Sequence, residues 1–280
     1  MKNKVKTMKR QRYQFGFILL LGSLAFGQEQ PVDKVSLTFS DPSRPGYLKA
    51  GLVNGSITVT GHDGDEIIVE ARSRTRKYSK ETSKSREGLK RVAITTTGLT
   101  VEEERNRMKV SVSSHLRTID LNIQVPKKTS LKLSTVNSGH IEVENIEGEI
   151  ELNNVNGSIR AHNISGSVVA NTTNGKVEVI FDTITSDKPM SFVSFNGRVD
   201  VTFPEDIKAN VKMKSEQGEV YSDFDIKLED RPRLTKEDRR QRGGKLKVKV
   251  ESAIYGTING GGPEYYFSTY NGSVYIRKKR

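Results

Sequence analysis

Acidic residues recur at regular intervals in the middle of this 280-residue sequence, and their spacing is the pattern that most suggests chemistry. They are Glu142, Glu144, Glu149, Glu151 and Glu178, with His140 and His162 close by. Two carboxylates about 5 to 9.5 Å apart can cleave a glycosidic bond, so a polysaccharide-cleaving enzyme is one hypothesis. However, Arg160 lies midway between Glu142 and Glu178, and alternating charges at constant spacing favour a ladder of surface ion pairs. Trp, which could form an aromatic platform for a sugar, is absent.

Metal and cofactor sites lack the residue patterns that they need. Zero cysteines exclude disulfides, thiolate metal sites and a cysteine nucleophile. The four histidines are scattered, and the segment His62-Asp63-Gly64-Asp65-Glu66 is more typical of an acidic turn than of a Ca²⁺ site. The sequence has neither a phosphate-binding glycine loop nor a nucleophile motif. We therefore expect no catalytic residue, no metal and no cofactor.

Two strongly basic segments offer a second kind of chemistry, the binding of a polyanion. Residues 72–91 carry nine Lys or Arg against two Glu, a net charge of +7, and residues 229–245 are also charged and rich in turn residues. Both are expected to be projecting loops that contact acidic glycans or other envelope components, or that are simply solvated. The candidate residues are Arg72, Arg74, Arg76, Lys77, Lys80, Arg231, Arg233, Arg239, Arg240 and Arg242.

A nine-residue repeat organises the centre of the chain. Each unit has apolar residues two and four positions after a glycine, and the residue between them is polar in four of five units. This is the pattern of a short strand with one buried face. Asn and Gly supply the corners because both tolerate positive φ. The predicted corner glycines are Gly139, Gly148, Gly157, Gly166, Gly175, Gly197, Gly218 and Gly272.

The repeat predicts an all-β fold, a parallel β-solenoid with two strands in each coil of about 18–22 residues. The intervals of 22 residues from 175 to 197 and 21 from 197 to 218 are each expected to be one coil. An antiparallel sandwich of hairpins is the alternative, but hairpins need no constant period. Residues 33–130 are expected to form an irregular N-terminal β cap. Residues 33–50 and 270–280 are expected to cover the ends, which otherwise permit end-to-end self-association.

The first 27 residues have the layout of a secretory signal peptide. A basic stretch is followed by an apolar run at 15–24 and by small residues at 25 and 27, so cleavage is expected near Gly27 and Gln28. The apolar run is too short for a stable membrane span, which needs roughly 20 residues. This segment also holds +6 of the formal net charge of +12. We expect one exported solenoid domain, residues 28–280, with no membrane span, in the periplasm or outside the cell.

The ordered set of motifs resembles a known bacterial family. Its parts are Asn54-Gly-Ser-Ile-Thr-Val-Thr-Gly-His-Asp-Gly-Asp-Glu, the central Asn-Gly nonapeptides, and Gly260-Gly-Gly-Pro-Glu-Tyr-Tyr-Phe-Ser-Thr-Tyr-Asn-Gly-Ser-Val-Tyr-Ile. Together they resemble the "putative adhesin" domain of unknown function, DUF4097. The resemblance implies an exported protein with a β-solenoid-like fold, and it brings no catalytic motif. We therefore expect a non-enzymatic, adhesin-like scaffold or binding module, with the polysaccharide-cleaving enzyme as the alternative.

Overall fold

The computed structural model describes residues 32–74, 96–185, 187–229, 234–238, 246–250 and 252–280. Within these ranges every regular element is a β-strand. Nineteen strands form one sheet, which folds into two faces, and two more form a separate antiparallel pair. We call the strands that follow the Asn-Gly corners face A, and those that precede them face B. The predicted all-β solenoid is confirmed.

In spatial order, face A contains β1 (Val32–Thr38), β4 (Glu66–Ser73), β7 (Ile119–Pro126), β3 (Ile57–His62), the first parts of β9 (Ile141–Asn156) and β10 (Ile159–Asn174), β11 (Val177–Ile184), β13 (Val199–Phe203), β21 (Val274–Lys278) and β15 (Val220–Ser222). Face B contains β5 (Leu99–Glu104), β6 (Arg107–Val112), β2 (Gly46–Asn54), β8 (Thr129–Asn137), the second parts of β9 and β10, β12 (Met190–Asn196), β20 (Glu264–Asn271), β14 (Ala209–Ser215), β19 (Ile254–Ile258) and β16 (Ile226–Leu228).

Successive central coils stack in parallel with the predicted shift of 18 residues. Ile141 pairs with Ile159, and Ile159 pairs with Val177. The apolar columns are buried on the inside of the stack, as at Ile150 and Val168. One coil cannot cover its own apolar side chains, so the neighbouring coils complete the core.

The second corner of each coil bends the chain without ending the strand. β9 and β10 each run for 16 residues across both faces, although separate short strands were predicted. The bend is made at Asn145 (φ 58°) and Asn163 (φ 54°), which confirms the role expected for asparagine. Gly148 and Gly166 lie side by side just after these bends.

The Asn-Gly corners form an unbroken ladder of closely packed glycines. A Cβ on Gly157 would lie 1.9 Å from the carbonyl oxygen of Gly139, and one on Gly175 would lie 2.3 Å from that of Gly157. The ladder in spatial order is Gly55, Gly139, Gly157, Gly175, Gly197, Gly272 and Gly218. Backbones approach so closely here that only glycine fits. Seven glycines at or near the Asn-Gly corners thus lie in close backbone contact from coil to coil.

Buried side chains in the next coil donate hydrogen bonds to these glycine carbonyls. Thr172 Oγ1 donates to Gly157 O at 2.8 Å, and Ser194 Oγ donates to Gly175 O at 2.8 Å. Asn154 occupies the same column and donates through Nδ2 to Gly139 O at 3.1 Å. Its Oδ1 is buried and has no hydrogen-bond partner among the described residues. An unsatisfied buried oxygen is destabilising.

We therefore expect Asn154→Thr to stabilise the protein. The threonine hydroxyl can make the bond that Thr172 makes in the next coil, and the unpaired amide oxygen is removed. The expected gain in the free energy of unfolding is about 1 kcal/mol. Urea unfolding followed by circular dichroism measures it, with Asn153→Thr on the outer surface as the matched control. A lower urea midpoint for Asn154→Thr would contradict this account of the column.

The C-terminal coil, residues 264–278, lies inside the stack. β20 pairs with β12 on one side and β14 on the other, while β21 lies between β13 and β15. Consequently Gly272 separates Gly197 from Gly218. Two predictions are wrong as a result: residues 270–280 do not cap an end, and the coils at 197 and 218 are not neighbours. The coils share the same corner chemistry, so that chemistry does not specify their order.

The N-terminal part contains regular coils as well as a cap. β2 lies between β6 and β8, and β3 lies between β7 and β9, all in parallel. The prediction of an irregular region over 33–130 is wrong for these coils, and residues 46–50 do not cover an end. Among the described residues of this part, the antiparallel pairs are β1 with β4, β4 with β7, and β5 with β6.

The charged segment at 229–245 is not entirely a loop. Residues Leu234–Asp238 form β17, which pairs antiparallel with β18, Leu246–Val250. Likewise, Arg72 is part of β4 and pairs with Asp120 in β7. Charged residues do not prevent ladder pairing, because backbone groups form the hydrogen bonds of the ladder.

Five large rings fill the core between the faces at the C-terminal part of the stack. Phe203 stacks on Phe181 at 5.3 Å and on Tyr265 at 5.5 Å, and meets the edges of Phe192 and Phe267 at 6.0 and 6.1 Å. All five rings are essentially inaccessible to solvent. They hold the C-terminal coil against its neighbours and so position the surface described next.

Candidate functional site

The regularly spaced carboxylates form ion pairs, as the charge-ladder interpretation predicts. Arg160 Nη1 lies 2.6 Å from Glu142 Oε1, and Lys132 Nζ lies 2.7 Å from Glu151 Oε2. The Lys132 hydrogen bond holds the pKa of Glu151 below its ordinary value.

Glu149 and Glu178 are also paired. Lys188 Nζ lies 3.5 Å from Glu149, and Glu178 is bound by Lys176 and by His162. Burial opposes ionisation of Glu178, but these two partners lower its pKa. These four carboxylates are therefore held in surface ion pairs.

The acidic segment at 62–66 is a tight turn between β3 and β4. His62 Nε2 lies 2.8 Å from Glu66 O, and Gly64 N donates to His62 Nδ1 at 3.0 Å. Asp63 pairs with Lys127 at 2.8 Å. The described residues contain no cluster of three or more His, Cys, Asp or Glu that could hold a metal ion.

Only two of the ten predicted polyanion-binding residues fall in the described ranges. Arg74 binds Asp120 through Nε and Nη2, both at 2.6 Å, and donates to Ser138 O at 2.9 Å, so it ties β7 to the Asn-Gly corner. Arg72 is exposed. The other eight, Arg76, Lys77, Lys80, Arg231, Arg233, Arg239, Arg240 and Arg242, lie outside the described residues, as does the predicted signal peptide.

A long groove runs along face B beside the Asn-Gly corners, and we call it the corner groove. It has a volume of about 640 Å³ and crosses six coils, from β8 to β14. Because adjacent strands are about 4.8 Å apart, the groove is about 24 Å long. Its outer lining consists of Ser134, Val136, Asn153, Val155, Asn171, Thr173, Val193, Phe195, Lys214, Glu216, Ser268 and Tyr270.

Small polar residues and exposed apolar residues form two parallel columns in the corner groove. The first column is aligned by strand pairing and is polar except at Val193; it contains Ser134, Asn153, Asn171, Val193 and Ser268. Asn171 Nδ2 donates to Asn153 Oδ1 at 3.3 Å. The second column lies one residue before each corner asparagine and is apolar except at Thr173; it contains Val53, Val136, Val155, Thr173, Phe195 and Tyr270.

An exposed aromatic pair stands at one end of the corner groove. The rings of Phe195 and Tyr270 are stacked at 4.9 Å with an interplanar angle of 8°. Their exposed fractions are 50% and 42%. The pair exists because the C-terminal coil packs directly against β12, which brings residues 75 positions apart into contact.

An asparagine ladder borders the corner groove. Asn156, Asn174, Asn196 and Asn271 each donate through Nδ2 to the Oδ1 of the preceding asparagine, with Asn137 first, and each bond is 2.7 Å long. The ladder rigidifies the border. It resembles the amide ladders that stabilise stacked identical strands.

The corner groove is essentially uncharged. The two ionic residues in its lining form an ion pair, with Lys214 Nζ 2.6 Å from Glu216 Oε1. The hydrogen bond to Glu216 raises the pKa of Lys214. Its surface therefore combines hydroxyls, amides, aliphatic groups and two aromatic rings. This mixture suits an extended, uncharged and hydroxylated ligand better than a polyanion.

The sequence contained a signal for this groove that we did not use. The residue directly before the corner asparagine is apolar or aromatic in most coils and yet alternates out of the buried columns. Repeated exposed apolar residues in one column indicate a functional surface. The Phe195–Tyr270 contact could not be predicted from the sequence, because it depends on β20 lying beside β12.

Two bacterial crystal structures are similar to this chain over most of its length. No curated protein matches the chain. A crystal structure described as a "putative cell adhesion protein" from Clostridium sporogenes is 14% identical, covers 89% of this chain and 100% of its own, and has a TM-score of 0.48. A "putative adhesin" from Bacteroides fragilis is 7% identical, covers 90% of this chain and 98% of its own, and has a TM-score of 0.34.

Membership of a family is shown by the sequence match over the coils that form the corner groove. The model of the Toastrack DUF4097 family matches residues 135–277, slightly more than half of the chain. Within the described ranges, no helix is long and apolar enough to cross a membrane. The matched region contains the central and C-terminal Asn-Gly coils, every glycine of the ladder except Gly55, and the aromatic pair, and this chain belongs to the Toastrack DUF4097 family.

Proposed function

We propose that this chain is an exported, non-catalytic binding module of the bacterial envelope, with an adhesin-like role, and that it holds an extended glycan in the corner groove. The observation that carries the proposal is the uncharged groove, about 24 Å long, with the stacked Phe195 and Tyr270 at one end. The two similar bacterial structures are described as adhesion proteins, which is compatible with this role.

Several physical features favour a glycan as the ligand. The flat faces of sugar rings pack on aromatic side chains, while their hydroxyls exchange hydrogen bonds with amides and hydroxyls. Asn153 and Asn171 provide such amides at a constant spacing. A rigid solenoid offers these groups preorganised, so a linear polymer binds without ordering the protein.

The acidic residues support binding rather than cleavage. Glu216 is the carboxylate in the lining of the corner groove, and Lys214 neutralises it. Glycoside hydrolysis requires two carboxylates facing one sugar. A single neutralised carboxylate does not meet that requirement.

The test is a screen of linear neutral glycans against purified residues 28–280, with turnover scored in the same wells. We expect Phe195→Ala with Tyr270→Ala to weaken binding at least tenfold, which corresponds to about 1.4 kcal/mol, because the aromatic platform is lost. Tyr221→Ala is the matched control, since Tyr221 is 47% exposed and stacks on Tyr275 at 5.1 Å on face A.

Equal loss of binding in the Tyr221→Ala control would contradict the assignment of the site. Products of glycan cleavage would contradict the non-catalytic role and favour the enzyme alternative. Unchanged affinity in the double variant would show that the glycan binds elsewhere.

Polyanion binding by the basic segments is a separate prediction with its own measurement. Heparin-like or other acidic glycans should bind more weakly as salt increases, because the contact is electrostatic. Replacing Arg76, Lys77 and Lys80 with Gln should reduce this binding but leave neutral glycans unaffected. Polyanion binding that does not change with salt concentration would contradict the prediction that the basic segments bind polyanions electrostatically.

A further inference from the structure

A second cavity lies at the opposite corner of the solenoid from the corner groove. It has a volume of about 450 Å³ and is bounded by the end of β11, the loop after β13 and the glycine-rich loop before β20. Ile184, Pro204, Ile207 and Pro263 form aliphatic walls, and Tyr265 contributes to the lining. This size is typical of a small-molecule site.

Tyr265 is the unusual member of the lining. The residue is only 1% exposed and its ring stacks on Phe203. The described residues provide no hydrogen-bond partner for its hydroxyl. Burial raises the pKa of Tyr265 to about 12, so the hydroxyl is protonated and able to donate at neutral pH. Tyr265 lines the cavity, so a ligand there can supply the hydrogen-bond partner that the hydroxyl lacks among the described residues.

The rim of the cavity carries balanced charges. Asp182 is paired with Lys279 at 2.5 Å. Asp206 and Lys208 also line the cavity, and they provide one carboxylate and one ammonium group. Because the net charge of the lining is near zero, the cavity does not favour an ionic ligand. The carboxylates of Asp182 and Asp206 can accept hydrogen bonds, the Tyr265 hydroxyl can donate one, and the walls are aliphatic. These groups together match a sugar ring, which carries several hydroxyls.

We propose that this cavity is a binding site for a single uncharged sugar unit. The sugar accepts a hydrogen bond from the Tyr265 hydroxyl, and its own hydroxyls donate hydrogen bonds to the Asp206 carboxylate. The site is independent of the corner groove, because it lies at the other corner of the coils and shares no lining residue with it. The aliphatic walls cover the apolar side of the ring.

The experiment uses protein labelled with ¹³C in the tyrosine rings, titrated with uncharged hexoses, pentoses and N-acetylhexosamines. Putrescine and galacturonate serve as cationic and anionic comparisons. Tyr265→Phe assigns the Tyr265 resonance and keeps the ring that packs on Phe203. We expect an uncharged sugar to shift that resonance. We expect Tyr265→Phe to weaken binding of the sugar at least tenfold without lowering the melting temperature of the protein. Asp206→Asn, an exposed substitution, should also weaken binding.

Phe195→Ala separates this site from the corner groove, because it should leave monosaccharide binding unchanged. The proposal is overturned if no uncharged sugar shifts the Tyr265 resonance, in which case water alone satisfies the hydroxyl. It is also overturned if only putrescine or galacturonate produces the shift, or if Tyr265→Phe binds the sugar as tightly as the parent protein.

Discussion

Replacement of Gly157 by alanine should destabilise the protein by more than about 3 kcal/mol. The new Cβ would lie 1.9 Å from the backbone oxygen and 2.9 Å from the backbone carbonyl carbon of Gly139, which cannot move away as the end of a flexible side chain can. The coils on both sides are fixed by the ladder, so relief requires the separation of paired strands. This is a large part of the roughly 5 to 15 kcal/mol that stabilises a typical domain.

Gly64→Ala is the matched control for this prediction. Gly64 lies in the exposed turn between β3 and β4, where the nearest atom to a new Cβ is His62 Nδ1 at 3.1 Å. The side chain of His62 can move, so the expected change is about 0.5 kcal/mol or less. Urea unfolding of both variants measures the difference. Similar stability for Gly157→Ala and Gly64→Ala would show that the corners are not packed as closely as described.

Replacement of Phe203 by alanine should cost about 3 to 5 kcal/mol. Phe203 is fully buried and contacts four other rings, two of them, Tyr265 and Phe267, in the C-terminal coil. Its removal leaves a cavity that these rigid neighbours cannot fill. The loss should therefore release the C-terminal coil first.

Phe195→Ala is the control here, because Phe195 is aromatic and stacked but half exposed. We expect it to cost about 1 kcal/mol, the value of a surface aromatic pair. Thermal unfolding and hydrogen exchange of β20 and β21 distinguish the two variants. If Phe203→Ala leaves exchange in these strands unchanged, the ring cluster does not hold the C-terminal coil.

Much of the fold follows from local rules that the sequence states directly. The apolar columns at Ile141, Ile150 and Ile159 specify which face is buried, and the constant interval specifies the parallel register of adjacent coils. Asn145 and Asn163 mark the bends because few other residues adopt positive φ easily. The charge ladder at Glu142 and Arg160 follows from the same register.

The order of the coils does not follow from these rules. Coils that share the Asn-Gly corner expose nearly equivalent edges, so sequence distance is a poor guide to which coils are adjacent. Gly197 contacts Gly272 because Phe192 and Phe267 stack at 5.3 Å in the core. The specificity comes from complementary ring shapes across 75 residues, and a repeat pattern contains no information about such shapes. The corner groove depends on the order of the coils, so the repeat pattern does not predict the groove either.

The central claim is that the C-terminal coil lies between the coils at 190–203 and 209–222, since this order creates the Phe195–Tyr270 pair and the corner groove. The absence of native cysteines allows a direct test by engineered disulfides. Asn196 and Asn271 are paired neighbours, about 4.8 Å apart, whereas Asn196 and Gln217 are two strands apart, about 9.6 Å.

Disulfides require Cα atoms less than about 7 Å apart. We predict that Asn196→Cys with Asn271→Cys oxidises readily in the folded protein, and that Asn196→Cys with Gln217→Cys does not. Cross-linking of the second pair instead of the first would place the coils in sequence order and contradict the groove and the function proposed for it.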